Sequence, residues 1–426
     1  MPLPWRADED RVSRAGSRPA RPYAFACYDA IASAPPEWDR FVHGHSLFLQ
    51  REYLQLLEEN GPPAARPFYA IVSENGRPVA VVKATIFDVD DEMLSVRDRT
   101  AYSAGLRPGG RFLDKTLTRV RNRCLGMFGR RMVLCGNLFS CGLHGVVFDH
   151  AENPERLWPI VMECLEDVLR MQGKAAYLVI KDVTSRESGA GDLFGAAGFS
   201  PLRLEPSMDL QVPENWHTYE DYLASLNTKY RKAARKMQDA FDRADVRIEA
   251  LANPAAEQDR LFSLYTQVER RAAIRFGMLG DGYLPALARM AEPARFRCSV
   301  ARKHTEIVGF SVVLRDGNTA VVHLVGFDYE ENIRAPIYLR LLHRAIEDGI
   351  ALGCTTIHFG RTALEPKARL GAIPTATEAW VKHSNPIINR VLRYLFRLVP
   401  EDVAPRREPF RKGNVENSEV SMRNAE

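Results

Sequence analysis

Paired cysteines are missing from this chain: its seven cysteines, an odd number, include no CxxC pair. That usage excludes a disulfide framework and a Cys-based structural zinc site, and it points to a reducing compartment. His43 and His45 have no further ligands clustered beside them, so no metal site is expected. Long hydrophobic runs are missing too. Nothing approaches the roughly 18 apolar residues that would cross a membrane, and the opening MPLPWRADEDRVSRAGSRPARP lacks the apolar core of a signal peptide. A cytoplasmic protein is the expectation. Neither sign of charge has a large surplus: 58 Lys and Arg against 54 Asp and Glu leave +4 over 426 residues. Obligate binding to duplex nucleic acid is therefore not indicated, although local basic patches remain open. With 46% apolar and 26% charged residues, the composition is that of a globular protein too long for one hydrophobic core.

What the sequence does contain is a duplication. HGVVFDHAEN, from His144 to Asn153, resembles HLVGFDYEEN, from His323 to Asn332, about 180 residues further on. An apolar-periodic segment follows each copy, Pro154 to Gly173 and Ala335 to Gly353, and then a strand-like run, AAYLVIKDV or TTIHFGRTA. Gly173 falls on Gly353 and Lys181 on Arg361, so helix and strand keep their register. The expected division is a tail over 1–24, domains over 25–205 and 206–400, and a second tail over 401–426. Both ends are polar, charged and proline-bearing, which is why they read as loose tails.

Local patterns fill in this division. SLFLQREYLQLLEEN has a helical period that stops at Gly61. PFYAIVSENGRPVAVVKATIF reads as a hairpin around Glu74-Asn75-Gly76. The stretch from Asp88 to about Arg131, with GLRPGG and TRVRNR, interrupts the regularity as an insertion. The second half reads strand, two helices, three antiparallel strands, helix, strand, helix, strand, a mixed α/β sheet with helices on both faces.

This order is similar to that of the GNAT acyltransferase superfamily, and two such domains in tandem resemble its FemAB-like branch. The segments that carry the resemblance are SLFLQREYLQLLEENG, YLASLNTKYRKAARKMQ, and FDYEEN with FGRTALEPKARLGA, within roughly residues 37 to 400. The resemblance implies an N-acyltransferase with acyl-CoA as co-substrate and no permanently bound cofactor. The thioester would lie between Thr319–Phe327 and the strand from Thr355 to Arg361, where an amine attacks its carbonyl. Such chemistry needs a base, donors for the oxyanion and an acid for the thiolate. The superfamily's phosphate loop is replaced here by EENIRAP. FemAB proteins take their donor from aminoacyl-tRNA, so a tRNA-dependent transferase is the alternative, and a non-catalytic binding protein is the other. Within the acyl-CoA reading the chain resembles bacterial ceramide synthases, which acylate a sphingoid base.

Several residues are candidates under that resemblance, each with a plainer reading beside it. His323 is the candidate base, or a structural histidine like its counterpart His144. Asp328 is a catalytic carboxylate, or a helix cap like Asp149. Tyr338 is an acid for the leaving thiolate, or a packed aromatic. For the donor's phosphates the candidates are Arg334 with the backbone of Ala335, Arg361 and Lys367, and Lys229 and Lys232 on a basic helix face shared with Lys236. Cys135 and Cys141 lie near the first-domain cleft with no obvious activating partner, so a covalent thiol mechanism is not expected. IINRVLRYLFRLVP is amphipathic and basic, fit to lie on an anionic membrane surface, here the inner face of a bacterial membrane, or to dock on the sheet.

Overall fold

Asn75 and Gly76 both adopt positive φ, 50° and 81°, and turn the chain through a tight hairpin between two β-branched segments. The computed structural model describes residues 22–88, 131–172, 176–184, 188–272, 277–398 and 405–411. The expected insertion lies outside them. In chain order the first strands are β1 (Tyr23–Tyr28), β2 (Arg66–Glu74), β3 (Arg77–Asp88), β4 (Arg131–Cys135), β5 (Val146–Phe148), β6 (Ala176–Thr184) and β7 (Ser200–Arg203). A second set comprises β8 (Ser207–Gln211), β9 (Val246–Ala250), β10 (Phe296–Lys303), β11 (Glu306–Asp316), β12 (Thr319–Phe327), β13 (Thr356–His358) and β14 (Ile373–Thr375), and β15 (Thr377–His383) ends the series.

Two mixed sheets result among the described residues. The first runs β1-β2-β3-β4-β6-β15-β7, with β5 paired to β3, and the second runs β14-β8-β13-β12-β11-β10-β9. Each sheet has one parallel step, β4 beside β6 and β12 beside β13, bridged by the helices Pro154–Met171 and Ile337–Ala351. These are the units that the duplication marked. Their buried faces are apolar, Leu157, Trp158, Val161 and Leu165 on one and Leu341, Leu342, Ala345 and Ile346 on the other. Each fully buried side chain of this size contributes ~1.5–3 kcal/mol.

One strand crosses between the halves. β8, the first strand of the second half, lies between β13 and β14 of its own sheet, while β15 leaves the second half and lies between β6 and β7 of the first sheet. Within the sheets β7 pairs only with β15, and β14 only with β8, so the end strand of the first sheet relies on a strand from the other half. The helix Pro386–Arg397 follows β15 and packs Leu392 and Phe396 against Tyr177, Val179 and Val381 of the first sheet. Residues 377–397, expected within the C-terminal domain, thus pack on the N-terminal sheet, because β6 offers an edge that β15 satisfies. Part of the expected second tail is likewise anchored. Phe410 is buried against Trp216 and Tyr222, and Asn227 N–H donates to Pro409 O at 2.8 Å.

Candidate active site

The strands β12 and β13 pair only at Thr319–Thr356, Ala320–Ile357 and Val321–His358. Beyond that point Phe359 N–H still donates to Met208 O of β8 at 2.9 Å, whereas β12 runs on without β13 as far as Phe327. The strands therefore splay, and residues 321–325 of this interior strand stay half-exposed. A bulge marks the same place: Val312 pairs with Leu324 and Val313 with Val322, leaving His323 as the extra residue. The first sheet splays at the corresponding point, after Cys135 and Ile180, but there the loop from Gly136 to Gly145 fills the gap. Lys181 Nζ donates to Asn137 O at 2.7 Å and Ser140 O at 2.5 Å within it.

That loop is pinched at its base by β3. Lys83 N–H donates to Gly145 O at 2.8 Å, and Lys83 O accepts from Gly136 N–H at 3.0 Å. Gly145 has φ 78°, and a Cβ there would stand 2.6 Å from Lys83 O and 2.8 Å from the Gly136 backbone. Only glycine tolerates both the conformation and the contact. The loop buries Phe139 and Leu143 against Phe48, Tyr53 and Leu284 at the junction of the halves, and it directs Cys141 at the second sheet.

Cys141 meets residues from three other segments there. Arg361 Nη1 lies 3.8 Å from Cys141 Sγ. The guanidinium also pairs with Asp182, donates to Thr377 Oγ1 at 2.8 Å, and donates to Glu205 O at 3.0 Å. His358 interacts electrostatically with the thiol; its Nδ1 lies 2.6 Å from Asp209 Oδ1, and its buried Nε2 makes no hydrogen bond. Asp209 Oδ2 accepts from Thr375 Oγ1 at 2.6 Å. Asp209 stands directly across from His358 in the β8–β13 ladder, so the strand pairing itself brings this carboxylate to the imidazole. Asp182, wholly buried in a left-handed conformation with φ 58°, holds Lys181 at 2.7 Å and accepts from Gly142 N–H at 3.0 Å. Strain of this kind costs ~1–3 kcal/mol and persists where surroundings over-determine it.

Electrostatics follow from this packing. Burial alone would raise the Cys141 thiol, but its interaction with His358 and the charges of Arg361 and Lys181 more than offset it and bring it down to about 7. Burial would lower His358, yet the Asp209 hydrogen bond and its interaction with Cys141 raise it to about 9. Thiolate beside imidazolium is thus a substantially populated state at neutral pH. Asp182 stays below its ordinary value: desolvation opposes ionisation, and the Lys181 and Arg361 charges overcome it. Lys83, buried and near Lys181, falls to about 7.

A second polar chain runs through the same junction. His323 Nε2 lies 2.7 Å from Tyr283 Oη, which lies 2.9 Å from Tyr53 Oη. Burial lowers His323 to about 4, so its imidazole is neutral. Its counterpart His144 instead accepts from Val146 N–H at Nδ1, 3.2 Å away. The duplicated histidines therefore share a position and not a set of partners.

The other expected residues are distributed more widely. Lys367 is buried and donates to Gly360 O at 3.1 Å and Arg361 O at 2.6 Å, with burial bringing it down to about 8. Asp328 Oδ1 caps the helix Tyr329–Arg334 through the N–H groups of Glu330 and Glu331, and Asp149 likewise accepts from Ala151 N–H. Tyr338 packs on Phe327 with ring centroids 5.4 Å apart. Arg334 is exposed and paired with Glu331, and the Ala335 N–H, expected to face a phosphate, donates to Glu331 O at 2.9 Å. Lys229 and Lys232 lie on a solvated helix face. The lack of an activating partner for Cys141 holds only along the sequence: His358 and Arg361 lie more than 200 residues away in the chain, and only the duplication offset linking Lys181 with Arg361 hints at their meeting. No group of three or more His, Cys, Asp or Glu with metal-binding geometry occurs among the described residues.

Residues 227–368 match the acetyltransferase (GNAT) domain family. No curated protein matches the sequence. Among solved structures the chain is similar to FemX, at 12% identity over 84% of this chain and 97% of that one, with a TM-score of 0.50. It is also similar to a tandem GNAT protein from the clavulanic acid biosynthesis pathway, at 10% identity over 85% of this chain and 99% of that one, with a TM-score of 0.47. The mixed α/β architecture and the acyltransferase class expected from the sequence agree with these findings.

Proposed function

We propose that this chain, which carries a GNAT acyltransferase domain on a tandem, FemAB-like fold, transfers an acyl group from acyl-CoA to an amine in the crevice between β12 and β13. The observation that carries this reading is the asymmetry of the two splay points: the first is filled by the loop 136–145, while the second leaves residues 321–325 half-exposed beside Arg361, His358 and Cys141. Open backbone on β12 suits the amide arm of the donor. Arg361 offers a fixed charge to the oxyanion. His323 is the proposed proton acceptor for the amine, acting with Tyr283, and its neutrality means that it need not lose a proton first. Lys367 holds the Gly360–Arg361 backbone in place, and Asp328 and Tyr338 shape the far end of β12.

The finer reading is that the acceptor is amphipathic, the amine of a sphingoid base, with a ceramide as product. Supporting it, the helix Pro386–Arg397 docks through Leu392 and Phe396 yet leaves Ile387, Val391, Tyr394 and Leu398 exposed among Arg390, Arg393 and Arg397. A face of that composition suits an anionic membrane surface, and no helix among the described residues is long and apolar enough to cross one. Purified protein given sphinganine or its 3-keto form with acyl-CoAs of several chain lengths should release free CoA. No release at any length sinks the sphingoid reading, and release with other amines alone keeps only the general one. Turnover abolished by ribonuclease would instead favour a tRNA-borne donor, held by the Lys229, Lys232 and Lys236 face.

A further inference from the structure

Cys141, His358 and Asp209 come from three segments, the pinched loop, β13 and β8, and gather beside Arg361 where β12 and β13 part. Their order is that of a nucleophile, a base and an orienting carboxylate. Asp209 engages Nδ1 at 2.6 Å and is itself fixed by Thr375. Nε2 is buried and makes no hydrogen bond, which leaves it available to the nearby thiol. Arg361, at 3.8 Å from Sγ, supplies a positive charge beside the sulfur. As a residue Cys141 is half-buried, unlike the fully buried cysteines elsewhere in the fold. Gly142, the next residue, lines a cavity of about 550 Å³ with His45, His144, Asp149 and His150 on the other side of the loop. A purely structural cysteine would need none of this. Cys135 and Cys298 are buried, and burial pushes both up to about 12.

Building on the acyl-transfer reading above, we propose that Cys141 is a catalytic nucleophile that carries the acyl group between donor and amine, with His358 as its acid and base and Asp209 as the positioning residue. In the first step Cys141 Sγ attacks the thioester carbonyl. The bond from the acyl carbon to Cys141 forms, the bond to the CoA sulfur breaks, and the departing CoA thiolate takes the proton of the His358 imidazolium. In the second step the amine, made neutral by passing its ammonium proton to His323, attacks the S-acyl carbon. The carbon–nitrogen bond forms, the bond to Cys141 breaks, and the second proton lost by the nitrogen passes to His358. Amide and free CoA are the products, and the thiolate–imidazolium pair is restored with no oxidant or reductant involved.

The test weighs the full-length protein by intact mass spectrometry after incubation with acetyl-CoA, and separately with palmitoyl-CoA, in the absence of amine. The expected result is a gain of one acyl group, mapped to the peptide containing Cys141, released by neutral hydroxylamine and absent from Cys141→Ser. His358→Gln should slow its formation by on the order of 100-fold or more. Asp209→Asn should slow it less and move the pH at which iodoacetamide alkylation of Cys141 sets in, a shift that a merely structural role would not produce. A wild-type protein with no adduct from either donor overturns the proposal. If free CoA and amide still appear in that case, and Cys141→Ser retains full turnover, acyl transfer stands as a direct attack. If neither CoA nor adduct appears, both fall.

Discussion

Replacing Asp182 with asparagine keeps the shape of a wholly buried side chain and removes its charge, leaving Lys181 and Arg361 facing a neutral amide. The carboxylate is paired with both cations and accepts from Gly142 N–H. Breaking a buried ion pair by removing one partner costs ~3–5 kcal/mol. Asparagine can keep one acceptor for Gly142 and tolerates the left-handed backbone, so the lower end applies, about 3 kcal/mol. At ~2–4 °C per kcal/mol for a domain of about 200 residues, the melting temperature should fall by roughly 6–12 °C. Scanning fluorimetry of Asp182→Asn against wild type at neutral pH measures it. The companion variant Asp182→Asn/Arg361→Met should recover part of the loss, since it removes the stranded guanidinium as well. A functional sign travels with the stability change. The charge of Asp182 holds the Cys141 thiol up, so in Asp182→Asn the alkylation of Cys141 should set in at lower pH than in wild type. A melting temperature within about 2 °C of wild type, or alkylation moved to higher pH, would refute the account of this cluster.

Three further expectations concern the same region. The folded pKa of His358, about 9, lies above its ordinary 6.5, so the contribution of that group is fully present below about pH 6.5 and fades as the pH rises through about 9. In Asp209→Asn the raised value is lost, and the alkaline fall in stability between those limits should flatten in pH-dependent melting curves. Gly145→Ala would put a Cβ against Lys83 O and the Gly136 backbone. It should cost ~2 kcal/mol or more and lower acyl transfer with the fold retained by circular dichroism; unchanged melting would mean that the loop base relaxes freely. His323→Gln should lower kcat for amine acylation by on the order of 100-fold if this residue takes the proton, while Tyr283→Phe should give a smaller loss. Equal activity of both variants and wild type would return His323 to a structural role.

Much of the fold could be read from the chain alone, because it rests on local periodicity. Val, Ile and Phe alternation with Asn75-Gly76 at the turn gave the hairpin, and the paired HGVVFDHAEN and HLVGFDYEEN gave the two strand, helix, strand units. Arg361 and Lys367 were legible as charges after the fifth strand of a recognised order. The capping readings of Asp328 and Asp149 also matched the geometry, since a cap bonds N–H groups two or three residues away.

The site itself could not be read that way. Cys141, Asp182, Asp209 and His358 are spread over more than 200 residues, each unremarkable where it stands, and their ionisation depends on which charges burial forces together. The crossing of β15 into the first sheet is equally invisible to local patterns: a strand's alternation specifies that it needs a partner and a buried face, and says nothing about which sheet provides them. Composition, periodicity and the duplication therefore set the elements and their pairing into two similar halves. The three-dimensional packing set which splay point is filled by its own loop and which stays half-exposed, carried β15 from the second half into the first sheet, and set Asp209 beside a histidine 149 residues further along the chain.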